Sequence, residues 1–78
     1  MMELYDLING ARIQGNICIS YFDDNDIERI VAEFKDCDGL NLTMLPDDFD
    51  YYVTIEYIFS DNDVLHIELT GSPWYSAE

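Results

Sequence analysis

The sequence predicts an α+β domain: an antiparallel sheet of three to five strands with one amphipathic helix packed on one face, in the order ββα(β)ββ. Three observations predict it. Residues alternate between apolar and polar along Arg12–Tyr21 and Val64–Thr70, and β-branched and aromatic residues fill Tyr51–Phe59, as expected of half-buried strands. Ile27, Ile30, Val31 and Phe34 fall at i, i+3, i+4 and i+7, one apolar stripe of a helix. Turn signals at Asn9-Gly10, Pro46-Asp47-Asp48 and Ser60-Asp61-Asn62-Asp63 separate these runs. The 78 residues form a single domain, near the size at which one core is marginal.

Glu3–Asn9 reads as a first strand, leading into a hairpin at Asn9-Gly10. A two-residue turn there puts Leu4 and Ile8 beside Ile13 and Ile17 on the inner face. It also points Asp6 inward, which is unfavourable without a partner; a longer turn shifts the register by one. In Arg12–Tyr21, Ile13, Gly15, Ile17, Ile19 and Tyr21 share one face, opposite Arg12, Gln14, Asn16, Cys18 and Ser20. Gly15 inside this run marks a bulge or a close approach by the helix.

Asp23–Asp38 reads as the acidic helix that crosses the sheet. Asp23, Asp24 or Asn25 caps its start by accepting orphan backbone N–H groups, Asp26 and Glu28 suit the helix dipole, and Asp38-Gly39 stops it. Leu40–Leu45 is a short edge strand or an extended loop. In Tyr51–Phe59, Tyr51, Val53, Ile55, Tyr57 and Phe59 share a face opposite Tyr52, Thr54, Glu56 and Ile58. In Val64–Thr70, Leu65, Ile67 and Leu69 point inward, and Trp74-Tyr75 packs back on the sheet edge.

Charge is the outlying quantity. Seventeen acids oppose three bases, a net charge of −14. Solubility alone asks about 2–8 charges of a small domain. Such a chain repels nucleic acid and anionic membranes and attracts basic surfaces through fast, salt-sensitive association. The acids fall in three clusters. Asp23, Asp24, Asp26, Glu28, Glu33 and Asp36 lie on the expected helix and its entry, Asp47, Asp48 and Asp50 in a loop, and Asp61 and Asp63 at a hairpin tip. Carboxylates one helical turn apart lie about 5–6 Å from each other, and successive phosphates of a strand lie roughly 7 Å apart, so such a face offers a basic groove a phosphate-like array. These eleven acids are the expected partner-binding residues.

Other chemistries find less support. Asp24-x-Asp26-x-Glu28 resembles the start of an EF-hand loop, but Arg29 stands at the sixth position, where that loop needs Gly. His66, the one histidine, sits on the polar face of a strand beside Glu68 and reads as a surface imidazole. Ser20, Ser60, Ser72 and Ser76 lack a neighbouring base in a recognisable pattern, and no Gly-rich phosphate loop is present. Cys18 and Cys37 lack metal-ligand spacing and read as reduced thiols. No apolar run approaches the ~18 residues of a membrane span. The expectation is a protein-binding domain of the host-cell cytoplasm, without enzymatic activity, cofactor or metal. Exposed strand edges and the aromatics Tyr5, Tyr52, Trp74 and Tyr75 allow a homodimer.

Over Asn9–Phe34 the chain resembles the N-terminal domain of the ArdA family of antirestriction proteins. Asn9, Ile13 and Gly15 keep the spacing of that family's Asn, aliphatic and Gly, with Ile17 where the family has a Trp. Asp26-Ile27 and Ile30-Val31 are similar to the family's acidic helix, and Tyr52–Tyr57 to its Tyr/Ile/Asp-Tyr stretch. The family's proteins are longer, with further domains and a dimer contact. The resemblance implies a DNA mimic of a phage or mobile element that occupies the basic groove of a nucleic-acid-binding defence enzyme. A restriction-modification enzyme is one such target, and a CRISPR effector, the target of small acidic anti-CRISPR proteins, is another. The alternative is an immunity- or antitoxin-like protein that neutralises a basic nuclease toxin.

Overall fold

The computed structural model describes residues 1–75, so Ser76 lies outside the described residues. The fold is α+β, with one short helix and a four-stranded mixed sheet. In chain order come helix α1 (Leu4–Gly10), strands β1 (Gly15–Phe22) and β2 (Glu28–Cys37), a 3-10 turn at Leu42–Met44, and strands β3 (Ile55–Asp61) and β4 (Val64–Leu69). The strand order is β2-β1-β4-β3. β1 pairs antiparallel with β2 and parallel with β4, and β3 pairs antiparallel with β4. The sheet is therefore mixed where an antiparallel one was expected, because the chain between β2 and β3 crosses the sheet and returns β4 alongside β1.

The helix and the first strand exchange places relative to expectation. Glu3–Asn9 is not a strand: Leu4 and Ile8 lie on one helical face and are buried, with Leu7 packed beside them. The helix also resolves the awkward position of Asp6, whose carboxylate is exposed and accepts from the Glu3 backbone N–H at 3.4 Å. Asn9-Gly10 is the last turn of α1, not a hairpin.

Asp23–Asp38 is not a helix. Asp23 closes a tight turn into β2, its Oδ1 accepting from the backbone N–H of Asn25 at 2.9 Å and of Ile27 at 3.0 Å. From Glu28 onward the segment pairs with β1. Without β2, one side of β1 would leave its backbone N–H and C=O groups unpaired beside a buried core, a cost that outweighs local helical preference. The helix-like spacing splits instead. Val31 and Phe34 pack against the core, while Ile27 and Ile30 stay about half exposed, at 48% and 57%.

Alternation in β1 and β4 holds as expected. Ile17 and Ile19 of β1, and Ile67 and Leu69 of β4, lie under α1 and the loops with Leu40, Leu45 and Phe49. Leu40–Leu45 forms the 3-10 turn, with Asn41 Oδ1 accepting from the Thr43 N–H at 3.0 Å. Tyr51 and Tyr52 form a turn before β3, so that strand is shorter than expected. Asn62 and Asp63 both take positive φ, 53° and 62°, the signature of a two-residue type I′ hairpin.

Bulges decide which side chains face where. Val31 is extra between the pairs Ile19↔Ala32 and Ser20↔Ile30, and Glu56 is extra between Ile55↔Leu69 and Tyr57↔Glu68. Each extra residue flips the remainder of its strand to the other face. Ile55 therefore points into the core while Tyr57 and Phe59 point away from it, although all three share one face in strict alternation. A third irregularity follows Gly15, which has φ 102° and open space around its Cβ position. Gly15 thus starts β1 opposite a bulge at Lys35-Asp36 of β2, and the helix makes no close approach to it. Gly15→Ala should lower unfolding free energy by about 1–3 kcal/mol from backbone strain alone, measured by urea denaturation, with no steric contribution from neighbours.

Candidate functional site

The face of the sheet opposite α1 is the candidate binding surface. Register places its side chains in rows across the four strands. One row is Ile30, Ser20, Glu68 and Tyr57, and the next is Glu33, Cys18, His66 and Phe59. Of the two central strands, β1 contributes the small residues Cys18 and Ser20, which neighbours bury, and β4 contributes the partly buried His66 and Glu68. The edge strands contribute the large exposed ones: Ile30 on β2, and Tyr57 (59% exposed) and Phe59 on β3. Phe22, 43% exposed, closes one end. The result is a shallow trough along β1. At its other end an open groove of about 250 Å³ runs past Asn16, Cys18, Glu33, Lys35 and Val64. His66 lies flat against Phe59, ring centroids 4.9 Å apart and planes 7° apart, which holds the Phe59 ring in place.

Electrostatics on this face are negative. Burial pushes the Cys18 thiol above its usual value, and Glu33 and then Glu28 push it further. A thiol at the floor of the trough thus senses both carboxylates across the strand pair. Cys37 lies opposite Gly15, three residues before Cys18. That is about 10 Å of strand, beyond the reach of a disulfide without backbone movement; both cysteines are free.

The eleven predicted acids do not gather on one helix face, because the helix is absent. They divide between the two ends of the sheet and its open face. Asp23, Asp24, Asp26 and Glu28 occupy the β1–β2 turn and the start of β2. Asp23 is committed to structure there. Its pKa is held below the ordinary value, first by the Ile27 backbone N–H and then by Arg29, whose Nε donates at 2.8 Å. At the opposite end, the structure joins two clusters that sequence kept apart. Asn16 links them: its Oδ1 accepts from the Asp36 N–H at 3.0 Å and its Nδ2 donates to the Asp63 carbonyl at 3.4 Å. Asp36, Asp61 and Asp63 therefore surround the start of β1. Asp38, beside them, is bound to Arg12 at 3.2 Å and Gln14 at 3.1 Å, in an exposed pair of small energetic consequence. Glu33 alone of the predicted acids lies mid-sheet on the open face.

The loop with Asp47, Asp48 and Asp50 lies on the helix side, at the end of the sheet where β1 finishes and β3 begins. The Tyr5 N–H donates to the Tyr51 carbonyl at 2.7 Å, and the Asp50 N–H to the Pro73 carbonyl. Beside the loop, Tyr5, Tyr51 and Tyr52 form a ring cluster with centroid separations of 5.0–6.2 Å. Of the aromatics singled out above, Tyr52 and Tyr75 are exposed and Trp74 is half-buried, meeting Phe49 edge-on at 5.8 Å.

Among the described residues, no group of three His, Cys, Asp or Glu side chains is arranged to hold a metal ion, and no helix is long and apolar enough to cross a membrane.

No family model, curated protein or solved structure matches the chain. Where the resemblance to the ArdA family implied an acidic helix, the fold has strand β2.

Sequence reasoning missed Phe22, Phe59 and the trough itself. The signal lay in the exposed β3 run Tyr57-Ile58-Phe59, three consecutive large apolar residues that a one-sided strand does not require.

Proposed function

We propose that the protein is an acidic, non-enzymatic inhibitor that occupies the basic groove of a nucleic-acid-binding defence enzyme, of the restriction-modification or CRISPR effector kind, in place of nucleic acid. One observation carries this reading. Three bases cannot offset seventeen acids, and the fold sends most of that surplus to both ends of one sheet. Glu28 faces Phe22 and Asp36 binds Asn16, six residues apart along β1, about 20 Å of strand, the length of about six base pairs. Arg and Lys side chains that normally hold phosphates along such a length would find carboxylates at both ends. A source in a phage or mobile element suits such a role.

The test is displacement of a labelled duplex from a purified type I restriction complex or CRISPR effector, followed by fluorescence anisotropy. The protein should release the duplex at about 50 mM salt and fail to do so by about 500 mM, as pairing between exposed charges is screened. Excess unlabelled duplex should displace the protein in turn. Binding that ignores both salt and competing duplex overturns the reading.

A second reading is favoured by the exposed Ile30, Tyr57 and Phe59. A phosphate-like surface does not need them, whereas a tight complex with a protein does. In that case the protein is an immunity- or antitoxin-like neutraliser of a basic nuclease, and it would block such a toxin while leaving restriction and CRISPR effectors active.

A further inference from the structure

We infer that the open sheet face is a docking trough for a basic amphipathic helix of the protein partner, with apolar residues seated on Ile30, Tyr57 and Phe59 and Lys or Arg side chains paired with Glu28, Glu33 and Glu68. This rests on the acidic-inhibitor reading and names the surface and the structural element it engages.

Three observations point the same way. The first is the pair of bulges. Apart from the irregularity at Lys35-Asp36, each edge strand carries an extra residue, Val31 in β2 and Glu56 in β3. In β3 the extra residue turns Tyr57 and Phe59 away from the core that strict alternation would give them. In β2 it places Ile30 on the open face while Ala32 and Phe34 keep the inner one. Bulges re-aim side chains at binding surfaces, and here both serve one face.

The second is shape. Four strands at a spacing of about 4.8 Å set the β2 and β3 ridges about 14 Å apart, and a helix with its side chains is about 10–12 Å across. The floor between the ridges is low over β1, where Cys18 and Ser20 are small and buried. A helix laid over β1 and β4 contacts that floor, the partly buried His66 and Glu68 beside it and both ridges, the helix-in-groove mode of recognition.

The third is charge. Glu28, Glu33 and Glu68 stand among the apolar residues of this face and Asp61 at its edge, against the single ammonium of Lys35. A second copy of the chain is disfavoured as occupant, because it would bring these carboxylates against their own kind and set −14 on −14. Phosphate-bearing partners are repelled for the same reason. A cationic helix with an apolar stripe satisfies both components of the surface.

The experiment uses the full chain, isotope-labelled for NMR, and two synthetic probes of equal positive charge. One is an amphipathic Leu/Lys helix of about 14 residues, roughly 21 Å long; the other is oligolysine. At about 150 mM salt the amphipathic probe should bind at least about tenfold more tightly than oligolysine. Shifts should concentrate at Cys18, Ser20, Glu33 and His66. The double variant Ile30→Ser/Phe59→Ser alters two exposed side chains and should keep its thermal midpoint. It should lose the tenfold preference while its weak oligolysine binding stays unchanged, and Tyr52→Ser, off this face, should bind as the parent does. If the two probes bind equally, or shifts fall on the Tyr5–Tyr51–Tyr52 cluster, the trough assignment is overturned and the acidic-inhibitor reading stands. If neither probe binds even at about 50 mM salt, both fall together.

Discussion

Phe49→Ala should cost about 3–5 kcal/mol of unfolding free energy, from a total of roughly 4–12 kcal/mol for a chain of this length. Phe49 is 1% exposed and meets Trp74 edge-on, with ring centroids 5.8 Å apart. It sits between Asp48 and Asp50 in a loop outside the four strands, where it forms an isolated antiparallel bridge with Trp74. The backbone around it is pinned by Phe49 N–H to the Pro46 carbonyl, Asp50 N–H to the Pro73 carbonyl and Tyr75 N–H to the Asp48 carbonyl. The ring plugs the side of the core that the short α1 leaves uncovered, and removing it opens a cavity that the pinned loop cannot collapse into. Urea denaturation followed by far-UV circular dichroism would measure the loss. A cost below about 1 kcal/mol, the level of an ordinary surface change, would mean the loop does not close the core. Leu42→Ala, at a half-buried position in the 3-10 turn, is the milder comparison.

Salt should stabilise the fold itself by an amount of similar size. The surplus of fourteen negative charges is confined within a radius of gyration of 11.8 Å, against about 27 Å for the unfolded chain. At about 10 mM salt the screening length of roughly 30 Å is comparable with the molecule's extents of 33 × 25 × 23 Å, so the charges repel across it; at about 0.5 M it falls to roughly 4–5 Å. The self-repulsion that folding adds should shrink by several kcal/mol between those conditions. Thermal melts in sodium chloride would show a steeply rising midpoint, and a flat midpoint would show that ions already bound neutralise the surface.

The pH dependence has two opposing parts. As pH falls from 7 towards the isoelectric point near 4.1, protonation relieves repulsion and stability rises. Asp23 acts in the other direction. Its folded value lies below the ordinary 3.8, because the Ile27 N–H and Arg29 bind the ionised form. Its contribution is therefore fully present above that ordinary value and is lost as pH falls through the lower folded one. Stability should peak at mildly acidic pH and fall in strong acid, where the β1–β2 turn loses its charged acceptor. In Asp23→Asn, which keeps an oxygen acceptor but no charge, the acid limb should flatten.

The α+β class was legible in the sequence because it depends on counts and alternation. β1 and β4 alternate over eight and six residues, enough to mark strands, and the inward set Ile17, Ile19, Ile67 and Leu69 follows from that period. The hairpin at Asn62-Asp63 was legible for the same local reason: short polar side chains tolerate the positive φ that the turn requires. The surplus of acid was visible outright.

Only the tertiary structure decided which segment is the helix. Ile27, Ile30, Val31 and Phe34 fit a helical stripe as well as four residues can, yet in the strand the bulge at Val31 divides them, with Ile30 on the open face and Val31 and Phe34 against the core. Four apolar positions cannot separate the two. What separates them is the need of β1 for a partner on its outer side, a long-range demand with no trace inside Asp23–Asp38. Leu4, Leu7 and Ile8 carried the shorter but true helical stripe, and the inward-facing Asp6 of the strand alternative was its local warning. The same limit applies to the site. Sequence identified the acids, but pairing alone brought Asp36 and Asp63 together through Asn16. Bulges, whose position depends on the neighbouring strand, turned Tyr57 and Phe59 out to the open face.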